Sequence, residues 1–154
     1  MPRVMRRTVL ASIVVAALAV VAPLCAAGSE AMLVVTNAWI RKPPPGLDSA
    51  ALYFTVSNPS RSRDVVIVSA TSARAASAMI HESSTVDGQS RMRMKTSVRV
   101  AGGQSVAFAP EGLHIMLTGL TKPLEVGDKV PVTLELEHGS SVDLVATVRP
   151  LDAK

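Results

Sequence analysis

The amino-acid sequence predicts an all-β protein, an antiparallel sandwich or barrel, on three observations. From Met32 onward the hydrophobic pattern repeats every two residues rather than with a helical period. Turn-forming clusters interrupt it at short intervals, from Pro43-Pro44-Pro45-Gly46 to His138-Gly139. Only Ser72 to Ala78 tolerates a helix, for about two turns at most.

In chain order the head comes first. Arg3, Arg6 and Arg7 precede an apolar run from Val9 to Leu24 that ends in small residues, the layout of a secretory signal. Residues 1–27 are expected to be a signal peptide, cut after Ala26 or Ala27, and residues 28–154 a single domain. The apolar run is shorter than the ~20 residues of a membrane span, and it meets Gly28-Ser29-Glu30 rather than a basic flank. Leu24 precedes Cys25 where a lipidation signal wants a small residue, so the pattern favours a freely exported protein over a lipid-anchored one. The expected destination lies across a bacterial inner membrane.

The body follows. Ala50 to Val56 and Val65 to Val68 are almost wholly apolar, which suits strands covered on both faces. Val106 and Phe108 flank Ala107 in a shorter strand. Val132, Leu134 and Leu136 alternate with Thr133, Glu135 and Glu137, and Val142, Leu144, Ala146 and Val148 repeat the pattern, giving strands with one apolar and one polar face. Asn58-Pro59, Asp87-Gly88, Gly102-Gly103, Pro110-Glu111-Gly112 and Gly127-Asp128 supply the turns between them. There is no internal repeat and no low-complexity tail.

Composition closes several function classes. The chain carries 16 Lys and Arg against 12 Asp and Glu, a net charge of +4. Three of those cations lie in the head, which holds no acid, so the body is nearly neutral. Trp39, Tyr53, Phe54 and Phe108 are its aromatics. A body without a basic face or a set of stacking rings is not built for nucleic acid. Cys25 in the head is the one cysteine, so the body has no disulfide, thiolate ligand or cysteine nucleophile. Glycine-rich phosphate loops, a Gly-x-Ser-x-Gly elbow and a His-Glu-x-x-His helix are all missing. The protein is not expected to be an enzyme.

Histidine and methionine carry the chemistry that remains. His114 and Met116 sit two apart in a strand, so both project from one face, while Leu113, Ile115 and Leu117 serve the other. Met92 and Met94 likewise share a face, with Arg91, Arg93 and Lys95 opposite. A single methionine ordinarily fills a gap in a core, and a lone His81 or His138 is ordinarily a surface group. Read as a set, His81, Met92, His114 and Met116 offer two imidazoles and two thioethers. That neutral, soft donor set suits one Cu(I) ion. It is poor for magnesium and calcium, which want oxygen, and for zinc, which prefers thiolate, imidazole or carboxylate. A blue-copper electron-transfer site needs a cysteine, which the body lacks.

The spacing resembles that of the PCuAC-type periplasmic copper chaperones, whose signature is histidine, ten residues, methionine, twenty-one residues and His-x-Met; His81, Met92, His114 and Met116 match every position and gap. Asp87-Gly88, Ala101-Gly102-Gly103, Gly119-Leu120, Lys122-Pro123-Leu124 and Gly127-Asp128 agree as well. Upstream, Trp39-Ile40-Arg41, Ala51-Leu52-Tyr53-Phe54 and Asn58 resemble the family's early strands. The similarity runs from about Asn37 to Val148.

The resemblance implies a cupredoxin-like sandwich, periplasmic and monomeric, with an exposed Cu(I) site on one edge. It also implies passage of copper to the binuclear copper centre of cytochrome c oxidase. Oxidase subunit II and a thioredoxin-like copper assembly protein are the implied partners. Storage or detoxification of copper would use the same ligands. A metal-free, immunoglobulin-like binding module is the plain alternative. The chain departs from the family at Ser83 and Ser90, where relatives often have extra methionines, and at Pro110-Glu111-Gly112-Leu113, where they usually have Pro-Gly-Gly-Tyr. Glu111 is expected to be a solvated turn residue rather than a ligand; Met94 is a candidate accessory thioether, with packing the expected role. The sequence stops at Lys154 with no His- and Met-rich tail, so one copper ion is expected rather than two. The ligands of a carrier should sit on hairpins at the rim, with Arg91, Arg93, Lys95 and Arg99 as a basic surface for an acidic acceptor.

Overall fold

A computed structural model describes residues 33–153, and the segment expected to be a signal peptide lies outside them. The described residues form ten strands: β1 (Val34–Arg41), β2 (Ala50–Ser57), β3 (Val65–Thr71), β4 (Ala75–Val86), β5 (Gln89–Met94), β6 (Val98–Val100), β7 (Ser105–Phe108), β8 (Leu113–Leu120), β9 (Lys129–Leu136) and β10 (Ser141–Arg149). Their order is β5-β4-β8-β2-β1-β10-β9-β3-β6, with β7 on β2. A short pairing of β3 with β4 at Ala70 and Ala78 curls the sheet back on itself. The all-β expectation holds, in a barrel-like sandwich around one core.

The alternation read from the sequence places that core. In β9 and β10, Val130, Val132, Leu134, Ala146 and Val148 turn inward and are buried. β2 is central, flanked by β1, β8 and β7, and Leu52, Phe54 and Val56 are fully or almost fully buried. Phe54 stacks on Phe108 with ring centroids 4.3 Å apart, an arrangement worth roughly 0.5–1.5 kcal/mol beyond the area it buries. The buried Asn58 is fully partnered. Its amide donates to the carbonyls of Arg63 and Val100, and its oxygen accepts from the Ser60 amide.

Three local expectations change. Ser72 to Ala78 forms no helix. The Ala75 amide closes a turn onto the Ser72 carbonyl at 3.3 Å, and β4 begins at once. Pairing of Ala75 with Leu120 and of Ala78 with Leu117 satisfies the backbone and buries both alanines partly, which outweighs local helix propensity. Val65 to Val68 is not covered on both faces, because Ile67 is buried while Val68 is exposed. One strand pair is parallel: Trp39, Ile40 and Arg41 of β1 lie beside Thr147, Val148 and Arg149 of β10.

Two features position the site. A bulge in β1 at Asn37, which takes a left-handed φ of 54°, shifts the register so that Trp39 lies opposite Tyr53. β1 also crosses the molecule from end to end. Leu33, just before it, lines a recess with Leu136 and His138, whereas Arg41 and Lys42 at its far end line a different groove.

Candidate metal centre

The β4–β5 hairpin is set by its turn. Asp87 and Gly88 both take positive φ, 53° and 73°, the geometry of a two-residue type I′ turn. Val86 then faces Gln89, Ser83 faces Met92, and His81 faces Met94. On the other side of β4, His81 pairs with His114 and Met79 with Met116 of β8. Residues paired across strands share a face. Four histidine and methionine positions separated widely in sequence thus reach one face of the sheet, and Met79 and Met94 join them.

Within that face, His81 Nδ1 lies 3.2 Å from Met92 Sδ. The His81 and His114 rings meet edge to face with centroids 5.9 Å apart. A tetrahedral ion with bonds of about 2.0–2.3 Å holds its donors roughly 3.5 Å apart, so the His81–Met92 pair already stands near the spacing of two ligands of one ion. Met116 and Met92 both line, with His114, an open groove of about 880 Å³.

The two histidines are held differently. His114 is 3 % exposed, so the expectation that every donor sits at the rim fails for it. The cause is its place on β8 between β4 and β2, with the Tyr53 ring centroid 6.2 Å away. Its Nδ1 stands 3.0 Å from the Gly112 carbonyl oxygen. A carbonyl only accepts, so Nδ1 carries the proton and Nε2 keeps its lone pair for a metal. His81 is half-buried, and burial first, then the neighbouring His114, hold its pKa below the usual 6.5. The neutral imidazole that a metal needs is thereby favoured.

Behind His114 lies a cluster that the sequence reading used only for resemblance. Trp39 and Tyr53 pack at 4.6 Å between ring centroids, and the Arg41 guanidinium lies 5.8 and 5.6 Å from the two rings. Burial pushes the Tyr53 hydroxyl pKa up, against the lowering effect of Arg41. Met94 does not pack as expected, because β5 is exposed along its whole length and Met94 stands directly opposite His81; Met79, opposite Met116, is a further thioether on the same face. Counting outward from the Asp87-Gly88 turn reaches the first of these pairings.

The remaining candidates fall elsewhere. His138 is exposed beside Glu137, in the short 3-10 turn Glu137–Gly139. Glu111 is exposed on the groove with a left-handed φ of 65°, in the turn closed by the Gly112 amide on the Ala109 carbonyl. Ser83 and Ser90 line the groove without adding sulfur. The basic surface shrinks. Lys95 pairs with Glu82 at 3.5 Å and Arg99 with Asp64, which leaves Arg91 and Arg93 exposed on β5. Among the described residues no group of three or more His, Cys, Asp or Glu side chains could hold a metal. The sulfur donors that accompany the two imidazoles at this face suit a soft cation.

Comparisons with known proteins agree with this architecture. The family described as "Putative lipoprotein LpqE-like" matches residues 33–148. "Putative lipoprotein Lxx21020" from Leifsonia xyli subsp. xyli (strain CTCB07) is 36% identical over 116 residues, covering 75% of this chain and 68% of the relative. The solution structure of CuI-DR1885 from Deinococcus radiodurans superposes with a TM-score of 0.62 at 30% identity, covering 80% of this chain and 83% of that one. The copper-bound PCuAC domain from PmoF2 gives a TM-score of 0.64 at 24% identity, over 77% of this chain and 92% of the domain, and shows the shared fold. The fold is that of PCuAC domains, and the chain belongs to the LpqE-like family.

Proposed function

We propose that the protein is an exported metallochaperone that binds one Cu(I) ion through His81, Met92, His114 and Met116. The observation that carries this reading is the convergence of His81, Met92 and His114 on one face, with Met116 on the same groove. Their donor set is neutral and half thioether, which favours Cu(I) over harder cations. The likeness to CuI-DR1885 at 30% identity supports the same ion. Copper is cargo here rather than the agent of a reaction: four protein donors leave no open position for a substrate.

Residues 1–27 act as the export signal, and residues 28–154 are the copper-binding domain. The names of the relatives favour a different processing, in which the signal ends at Leu24, the chain is cut before Cys25 rather than after Ala26 or Ala27, and a lipid on that cysteine retains the protein outside the inner membrane. The proposed acceptor is the binuclear copper centre of cytochrome c oxidase, on subunit II, with a thioredoxin-like copper assembly protein as companion. Storage or detoxification is the competing use of the same ligands.

Titration of reduced copper against a Cu(I)-specific chelator tests the site. The intact protein should take up one ion and Met116→Leu should bind far more weakly; equal binding by the two proteins overturns the ligand set. Incubation of the loaded protein with an apo subunit II fragment tests delivery. Copper appearing in the fragment supports it, and copper staying on the carrier supports storage.

A further inference from the structure

We propose that Met94 and Met79 form a thioether ledge over which the cuprous ion enters and leaves, with Met94 as its outermost donor. This rests on the Cu(I)-carrier reading above and adds a route to it.

The face that bears the four nominated ligands is graded in exposure. His114 is 3 % exposed, Met79 40 %, Met92 52 % and Met94 64 %. The gradient runs from β8, inside the sheet, to β5 at its edge. Packing does not explain the two extra methionines. Every residue of β5 is exposed, so Met94 fills no gap in a core. Their positions do fit a route. Met94 is directly opposite His81, and Met79 directly opposite Met116. Met94 and Met79 are themselves diagonal neighbours across β4 and β5, about 7–8 Å apart at the backbone and within reach of two long side chains.

A carrier of Cu(I) must release an ion that four donors hold tightly, and it must do so without leaving the ion bare. Thioethers are soft enough to hold Cu(I) and carry no charge. At Met94 one Cu–S bond forms as one bond to a resident donor breaks, and the ion remains Cu(I) throughout. An approaching acceptor then meets the ion at the sheet edge and need not reach the buried imidazole.

The test compares wild type, Met94→Leu and the Met79→Leu/Met94→Leu double variant, all surface substitutions of similar volume. Stopped-flow exchange of Cu(I) with a chelator gives loading and unloading rates, and competition gives the affinity. Met94→Leu should slow both rates by the same factor, about fivefold, with Kd unchanged. The double variant should be slower still. Methyl resonances of Met94 and Met79 should broaden when the protein is half loaded. Unchanged exchange rates overturn the proposal. A weakened Kd with unchanged loading also overturns it, because Met94 is then a resident ligand. If the wild-type chain takes up no Cu(I), the carrier reading itself fails, an outcome distinct from the other two.

Discussion

Two regions supply the proposed donors, and they are built on opposite terms. β8 lies inside the sheet, flanked by β4 and β2, and its His114 is buried with Nδ1 tied to a backbone carbonyl. The β4–β5 hairpin projects to the sheet edge, and every side chain of β5 is exposed. One half is preorganised and the other accessible. In the proposed carrier, a buried imidazole would set where the ion sits at little entropic cost, whereas exposed thioethers would let it leave. On that reading, tight holding and ready release, which conflict within a single cage, would fall to different strands.

Substitution at the two halves should separate them most strongly. His114→Ala should lower Cu(I) affinity by more than about a hundredfold, beyond the typical effect of losing a supporting partner. Met92→Leu should cost nearer tenfold and act mainly on the off-rate. Chelator competition measures both, and equal losses would erase the distinction.

The turn gives a smaller handle on the exposed half alone. Gly88 has φ +73° and nothing within 4 Å of a Cβ placed there, so Gly88→Ala meets no neighbour and costs only backbone strain, about 1–2 kcal/mol. That strain should fall on the hairpin. Amide exchange in β5 should speed up and copper affinity drop several-fold, while exchange in β8 and β2 stays protected. Loss of protection throughout would mean that the hairpin is not a separable unit.

Acid should distinguish the halves next. His81 has a folded pKa below 6.5, so the unfolded chain takes up the proton first as pH falls. Its contribution to apo-protein stability is present above about pH 6.5 and is lost as pH drops from there through the lower folded value. Melting temperature against pH should therefore decline on the acid side of that point, and His81→Gln should flatten the decline. Cu(I) affinity should hold steady from pH 7.5 to about 6.5 and then fall as protons compete for imidazole. A flat profile down to pH 5 would argue against histidine ligation.

The weakest effect concerns docking. Arg91 and Arg93 are exposed on the edge strand beside the thioethers. Arg91→Glu with Arg93→Glu should slow transfer to an acidic acceptor a few-fold at low salt, with unchanged copper affinity. Unchanged transfer would leave these arginines as keepers of a soluble edge.

Much of this was legible in the sequence because it depends on local periodicity. Alternation in Val132 to Leu136 and Val142 to Val148 gave two strands and their inward faces. The His81, Met92, His114 and Met116 spacing named the residues that meet on one face. Asp87-Gly88 contained the register, and thus the opposition of Met94 and His81, for anyone counting outward from the turn. What stayed hidden depends on contacts between remote segments. The burial of His114 needs β2 and β4 on either side of β8, and the bulge at Asn37 sets Trp39 beside Tyr53 behind it. The failed helix at Ser72 to Ala78 has the same origin, since pairing with β8 overrode a weak local preference.

The course of β1 also governs how the protein presents itself to its surroundings. Its eight residues span about 27 Å, from the recess at Leu33 to the rim of the His114 groove at Arg41. A tether upstream of Leu33, such as the proposed lipid on Cys25, would pull on the end of β1 away from the groove. Attachment at that end would leave the groove free for an acceptor arriving from the aqueous side.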